Sequence, residues 1–132
     1  MANNKEKGAL GESIACKYLV KRGFVIIERN YWQKCGEIDI IAKNKGVIHF
    51  IEVKSVSREI NTDKVTHETL DIYRPEDNLH KWKQERLAKT IQVYLAEKGV
   101  SDETDWQFDV ITVYFDEKRL ISKVYMLENV IL

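Results

Sequence analysis

Apolar and polar residues alternate with a period of two through Gly36–Lys43 and again through Val47–Lys54, with Asn44-Lys45-Gly46 between them. That pattern predicts two strands joined by a tight hairpin turn. In the first strand Glu37, Asp39 and Ile41 share one face, and Ile38, Ile40 and Ala42 share the other. In the second, Ile48, Phe50, Glu52 and Lys54 oppose Val47, His49, Ile51 and Val53. With Lys45-Gly46 as a two-residue turn, Ile38 faces Val53, Ile40 faces Ile51 and Ala42 faces His49. On the other face Ile41 meets Phe50, Asp39 meets Glu52 and Glu37 meets Lys54. A one-residue slip would set Asp39 against Ile51 and mix both faces.

The remaining elements follow from their own periodicities. Lys5–Arg22 predicts a helix stopped by Gly23, with Leu10, Ile14, Ala15, Tyr18 and Leu19 as its buried stripe. Glu12 falls on the flank of that stripe, so its carboxylate either reaches solvent or is directed at the sheet. Phe24–Trp32 predicts the first strand. Residues 55–78 read as a polar, irregular and mobile insertion, with room for a short extension of the third strand and a turn near Thr69–Tyr73. Pro75-Glu76-Asp77 reads as a helix start, and the helix runs to about Lys98 with Leu87, Ile91, Tyr94 and Leu95 facing the core. Trp106–Phe115 and Leu120–Ile131 are the last two strands. The order αβββαββ predicts an α/β domain over 1–132, with a central mixed sheet flanked by helices. The strand–helix–strand step makes the Trp106 strand parallel to the Glu52 strand.

Composition changes this picture little. The chain has 21 basic and 21 acidic residues, which argues against a generally basic nucleic-acid binder. The charge is uneven, however: residues 1–35 carry 7 basic and 3 acidic side chains, and residues 79–98 carry 5 and 2. Residues 36–78 carry 6 and 9. Two basic helical segments around an acidic centre would suit a phosphate backbone meeting a cation site, and would equally be two solvated helices. No apolar run approaches the roughly 20 residues that span a bilayer, and the N-terminus lacks a signal-peptide core, so the chain is expected to be cytoplasmic. Cys16 and Cys35 lack metal spacing and are expected to be free thiols.

The chemistry concentrates in the hairpin. Two carboxylates about 4 Å apart repel by on the order of 4 kcal/mol at an effective dielectric of 20. Such a pair, Asp39 beside Glu52, is tolerated where a cation lies between its members or where one stays protonated. Asp39, then 12 residues, then Glu52-Val53-Lys54, is the spacing of an acidic pair plus lysine suited to metal-dependent phosphodiester cleavage. Hard oxygens hold Mg²⁺, with Mn²⁺ expected to substitute, and the Val53 carbonyl is a candidate third ligand. Lys54 would position the attacking water, and Glu37 would orient Lys54 by a cross-strand ion pair. His49, His67 and His80 lie in different elements and do not make a metal set. Trp32, Trp82 and Trp106 are expected to be core or sheet-edge aromatics.

Several short segments in order resemble the YraN-like family, small bacterial proteins related to Holliday-junction resolvases. They are Gly8-Ala9-Leu10-Gly11-Glu12, Gly23-Phe24, Arg29-Asn30, Gly36-Glu37-Ile38-Asp39-Ile40-Ile41-Ala42 and Phe50-Ile51-Glu52-Val53-Lys54. Lys83-Gln84-Glu85-Arg86-Leu87, Tyr94-Leu95 and Phe108-Asp109-Val110 extend the likeness to about residues 8–115. The resemblance implies a restriction-endonuclease-like core in which Glu12, Asp39 and Glu52 are acidic ligands and Lys54 is the catalytic lysine. It also implies that Lys83 and Gln84 approach phosphate or water. Two positions depart from the family pattern: Val56 stands where an arginine is usual, and Trp32 where a basic residue is usual, with Lys34 nearby as a substitute.

The expectation is therefore a Mg²⁺-dependent endonuclease acting on branched or otherwise structured DNA, with Arg29, Lys34, Lys83 and Gln84 against the nucleic acid. A homodimer would suit a two-fold symmetric junction. The alternatives are a non-catalytic nucleic-acid-binding module on the same fold, and a protein-interaction domain using the end strand Val124–Leu132.

Overall fold

The structure, a computed structural model, describes residues 4–60 and 81–132. Its elements are α1 (Asn4–Lys21), β1 (Val25–Gln33), β2 (Gly36–Asn44), β3 (Val47–Ser57), α2 (Lys81–Glu97), β4 (Trp106–Asp116) and β5 (Ile121–Leu127). The strands form one five-stranded sheet in sequence order. β3 and β4 are parallel and the other neighbours antiparallel, so the sheet is mixed, as the αβββαββ order requires. This α/β arrangement is consistent with a restriction-endonuclease-like core. The expected helix start at Pro75, the turn near Thr69–Tyr73, His67 and His80 lie outside the described residues. The third strand does extend into the segment read as irregular, since β3 runs through Ser57.

Both helices end on the glycines that the sequence marks. Gly23 (φ +91°) and Gly99 (φ +61°) take the left-handed conformation. Beyond them Phe24 N–H donates to Leu19 O at 3.0 Å and Val100 N–H to Leu95 O at 2.9 Å, the bonds that close a Schellman motif. The β2–β3 turn has positive φ at both Lys45 (51°) and Gly46 (81°), so it matches the twist of its strands.

Each face of the sheet carries its own core. Ala15 and Leu19 of α1 pack with Phe24, Ile40, Ala42, Ile51, Ile111 and Val113 on one side. Leu87, Ile91 and Tyr94 of α2 pack with Tyr31, Ile38, Ile41, Phe50 and Phe108 on the other. β4, covered on both faces, is buried from Phe108 to Asp116, which explains its nearly unbroken apolar run. Leu10, expected in the α1 stripe, is 51% exposed and lines an open cavity with Phe115 and Ile121. β5 ends at Leu127; Val124 and Met126 pack on the α1 side and, beyond the strand, Val130 and Leu132 on the α2 side, while Leu127 and Ile131 are exposed.

The hairpin register holds from Asn44–Val47 through Ala42–His49 and Ile41–Phe50 to Ile40–Ile51. It stops there, so the expected pairs Asp39–Glu52, Ile38–Val53 and Glu37–Lys54 are not part of the ladder. The face assignment fails at the same place. Ile38 and Ile40, two residues apart, should point the same way, yet Ile38 joins the α2-side core and Ile40 the α1-side core. The cause lies across the β1–β2 ladder, where Arg29 pairs with Ile40 and Tyr31 with Ile38. Between them Asn30 has φ +53°, a left-handed conformation that asparagine adopts more readily than most residues. Both strands therefore switch faces together, at Asn30 and at Asp39.

α1 sits close on the sheet because Gly11 is small. A Cβ there would overlap Ser55 Oγ and lie 3.2 Å from Ser55 Cβ. Gly11→Ala is expected to lower stability by about 1 kcal/mol, since crowding against Ser55 outweighs the gain of about 1 kcal/mol in helix propensity. Gly11→Val is expected to lower stability by about 2–3 kcal/mol in chemical denaturation, because its branched side chain has nowhere to go.

Candidate active site

Where β2 and β3 part, a cavity of about 350 Å³ opens on the α2 side of the sheet. Gly36, Glu37 and Asp39 of β2, Glu52 of β3, and Trp82, Lys83, Arg86 and Leu87 of α2 line it. α2 is held over the opening through the β1–β2 turn. Arg86 Nε donates to Cys35 O at 2.9 Å, and Thr90 Oγ1, which donates to Arg86 O at 2.7 Å, lies 3.3 Å from Cys35 Sγ. Gly36 permits this approach, since a Cβ would sit 2.9 Å from Thr90 Oγ1.

Asp39 occupies the split itself. Its Oδ2 accepts a 2.8 Å hydrogen bond from the Val53 amide. N–H and C=O of one strand residue leave on the same side, so the Val53 carbonyl also points toward β2, where the ladder has ended. Burial pushes the Asp39 carboxyl up to about 7, against the lowering effect of the Val53 amide; the Glu12, Glu52 and Glu37 carboxylates push the same way as burial. The sequence-predicted acids are thus brought into one electrostatic neighbourhood.

Each acid is held differently. Glu52 Oε1 accepts from Lys83 Nζ at 2.9 Å, while its Oε2 is buried without a hydrogen-bond partner. Glu12 reaches in from α1; with the Asn30 amide nitrogen turned toward them, Asn30 donates to Glu12 Oε1 at 2.7 Å and to Glu37 Oε1 at 3.2 Å. Burial raises the Glu12 pKa, the Arg29 guanidinium opposes that shift, and Glu37 adds to it. Among the described residues no three His, Cys, Asp or Glu side chains are gathered into a metal-holding group. What is gathered is two carboxylates and a backbone carbonyl, hard oxygen donors with one buried oxygen unsatisfied. That set fits a divalent cation that keeps several waters.

The basic residues are more scattered. Lys83 borders the cavity, whereas Lys54 and Gln84, both half-buried, are not among the described residues that line it. Lys54 lies on β3 across from Thr112, two residues beyond Glu52 and on the same strand face. Arg29 is exposed on β1 and acts electrostatically on Glu12, and Lys34 is exposed in the β1–β2 turn. His49 is engaged elsewhere, its Nδ1 2.6 Å from Oδ2 of the fully buried Asp109.

Three contributors were not singled out from the sequence. Asn30 is a poor β-former inside a strand, and that mismatch is the signal that could have marked it. Arg86 carries no pattern that distinguishes it from the other helix cations. Trp82, expected in the core or at a sheet edge, is instead 56% exposed on α2 at the mouth of the cavity.

The raised Asp39 pKa sets a direction for stability. Asp39 stays protonated in the native state up to about pH 7 but ionises near pH 4 when unfolded, so ionisation opposes folding increasingly as pH rises between those values. Asp39→Asn, measured by denaturation in chelator, is expected to match wild type near pH 4. At pH 8 it is expected to exceed wild type by about 2 kcal/mol or more.

The model of the uncharacterised protein family UPF0102 matches residues 11–113. A UPF0102 protein of Campylobacter jejuni is 40% identical over 109 residues, covering 83% of this chain and 84% of its own. One from Clostridium botulinum is 35% identical over 126 residues, covering 96% and 94%. One from Campylobacter fetus is 38% identical over 117 residues, covering 89% and 91%. The matched span takes in Glu12, Asp39, Glu52 and Lys54 as well as the glycines that seat both helices, and on these grounds the chain belongs to the UPF0102 family.

Proposed function

We propose that this protein is a metal-dependent nuclease acting on structured DNA. The observation that carries the reading is the split hairpin. It holds Asp39 and Glu52 beside a cavity, with one Glu52 oxygen buried and unsatisfied, and with an Asp39 carboxyl that resists ionisation unless positive charge is supplied. A protein that needed only stability would not set Glu12, Glu37 and Glu52 within electrostatic reach of Asp39, because each added carboxylate raises the cost of ionising the next.

Asp39, Glu52 and the Val53 carbonyl would hold Mg²⁺, or Mn²⁺ in its place. Bound there, the cation would supply a water of lowered pKa and charge to offset the phosphate. Glu12, fixed by Asn30, adds negative potential from the α1 side and favours a cation over neutral solvent. Lys54, on the same strand face as Glu52, would orient the attacking water and offset the charge that develops on the phosphate. Lys83 would exchange Glu52 for a phosphate oxygen, and Arg29 and Lys34 would meet the phosphate backbone farther out.

One contact favours a second reading. The Lys83 ammonium already neutralises Glu52 at 2.9 Å, so the acidic site can be held by the protein's own cation. A non-catalytic nucleic-acid-binding module would use that arrangement; its DNA binding would be salt-sensitive, would survive chelation and would produce no cleavage.

Calorimetry and a cleavage panel separate the two. Wild type is expected to bind Mn²⁺, and Asp39→Ala and Glu52→Ala to weaken that binding by about ten-fold or more. Lys54→Ala is expected to retain the metal and lose cleavage of single-stranded, flap or four-way DNA. Unchanged Mn²⁺ binding in Asp39→Ala would remove the metal assignment.

A further inference from the structure

Trp82 is the second residue of α2, and more than half of its surface is open at the mouth of the acidic cavity. An exposed indole counts as a contact site only in company, since apolar side chains scattered singly over a surface are normal. One turn farther along α2 the Arg86 guanidinium lies 5.6 Å from the ring centroid, and Arg86 is itself tied to the β1–β2 turn through its bond to Cys35 O. The neighbouring Lys83 is tied to Glu52. An aromatic surface and two cations therefore border Asp39 and Glu52 on the helix side of the cavity.

That combination is how proteins take hold of an unpaired strand, with ring faces for the bases and cations for the phosphates. A paired duplex offers an indole nothing equivalent, because its base faces are already stacked on one another. The geometry points to a substrate whose strand is unpaired at the cavity, with one base stacked on Trp82 and the adjoining phosphate toward Lys83 and Arg86. This rests on the nuclease reading and narrows its substrate class to single-stranded or branched DNA, at the expense of continuous duplex.

The test is equilibrium binding, with calcium in place of magnesium, of a labelled oligothymidylate, a four-way junction and a blunt duplex. Wild type is expected to prefer the first two over the duplex, and its tryptophan fluorescence to be quenched by the oligothymidylate. Trp82→Ala should lose about ten-fold or more of the single-strand affinity together with part of the quenching, and bind duplex nearly as wild type does. Trp82→Phe should keep most of the affinity. Trp32→Ala removes an indole that is 67% exposed but does not line the cavity, and should change neither. If folded Trp82→Ala binds oligothymidylate as wild type does, or loses both substrates equally, or if wild type shows no preference against duplex, the inference is overturned. In those outcomes the nuclease reading stands, whereas wild type binding none of the three DNAs would overturn both.

Discussion

The bond from the Val53 amide to the Asp39 carboxylate is the point on which the site depends. A regular antiparallel ladder would have carried the hairpin past Ile40–Ile51 and set Asp39 and Glu52 as cross-strand neighbours. Instead the carboxylate takes a backbone donor, β2 leaves β3, and the opening becomes a cavity. The exchange is electrostatically uneven. One amide stabilises the Asp39 anion, while burial and three neighbouring carboxylates oppose it, and the opposing effects prevail. The resulting site favours whatever positive charge comes within reach.

The fold supplies that environment by approaching the split from both faces. α1 brings Glu12 from one side, seated by Gly11 against Ser55. α2 brings Lys83, Arg86 and Trp82 from the other, seated by Gly36 against Thr90 and by Arg86 on Cys35. The glycines next to the acids Glu12 and Glu37 are thus packing residues. Close approach of a helix to a sheet requires a residue without a Cβ, and the acid beside it is carried into position. The Asn30 amide joins the two sides by donating to Glu12 and Glu37.

Much of this was legible in the chain. Periodicity determined the order and type of the elements, because a period of two and a period near 3.6 bury different residues. The Lys45-Gly46 turn determined the hairpin register, since only that pairing kept like side chains together, and Gly23 and Gly99 determined the helix ends. Asp39, Glu52 and Lys54 stood out because ionisable residues alternate there with core residues on adjacent strands. The family likeness added Glu12, which helix periodicity alone left undecided between solvent and sheet.

Only the tertiary structure decided where the register ends. Strand alternation is a local rule, and it carried Ile38 onto the wrong face because nothing in β2 signals the left-handed Asn30 on the neighbouring strand. The Lys83–Glu52 pair and the exposed setting of Trp82 join residues about 30 positions apart, across a segment whose length says nothing about where α2 docks. The raised affinity of Asp39 for its proton is likewise a property of the assembled site, since burial and charges from α1, β2 and β3 act on one carboxylate. The chain by itself determined which ionisable residues alternate with the core on the two hairpin strands. Their burial, pairing and mutual repulsion arose only when two helices closed on a broken hairpin from opposite faces.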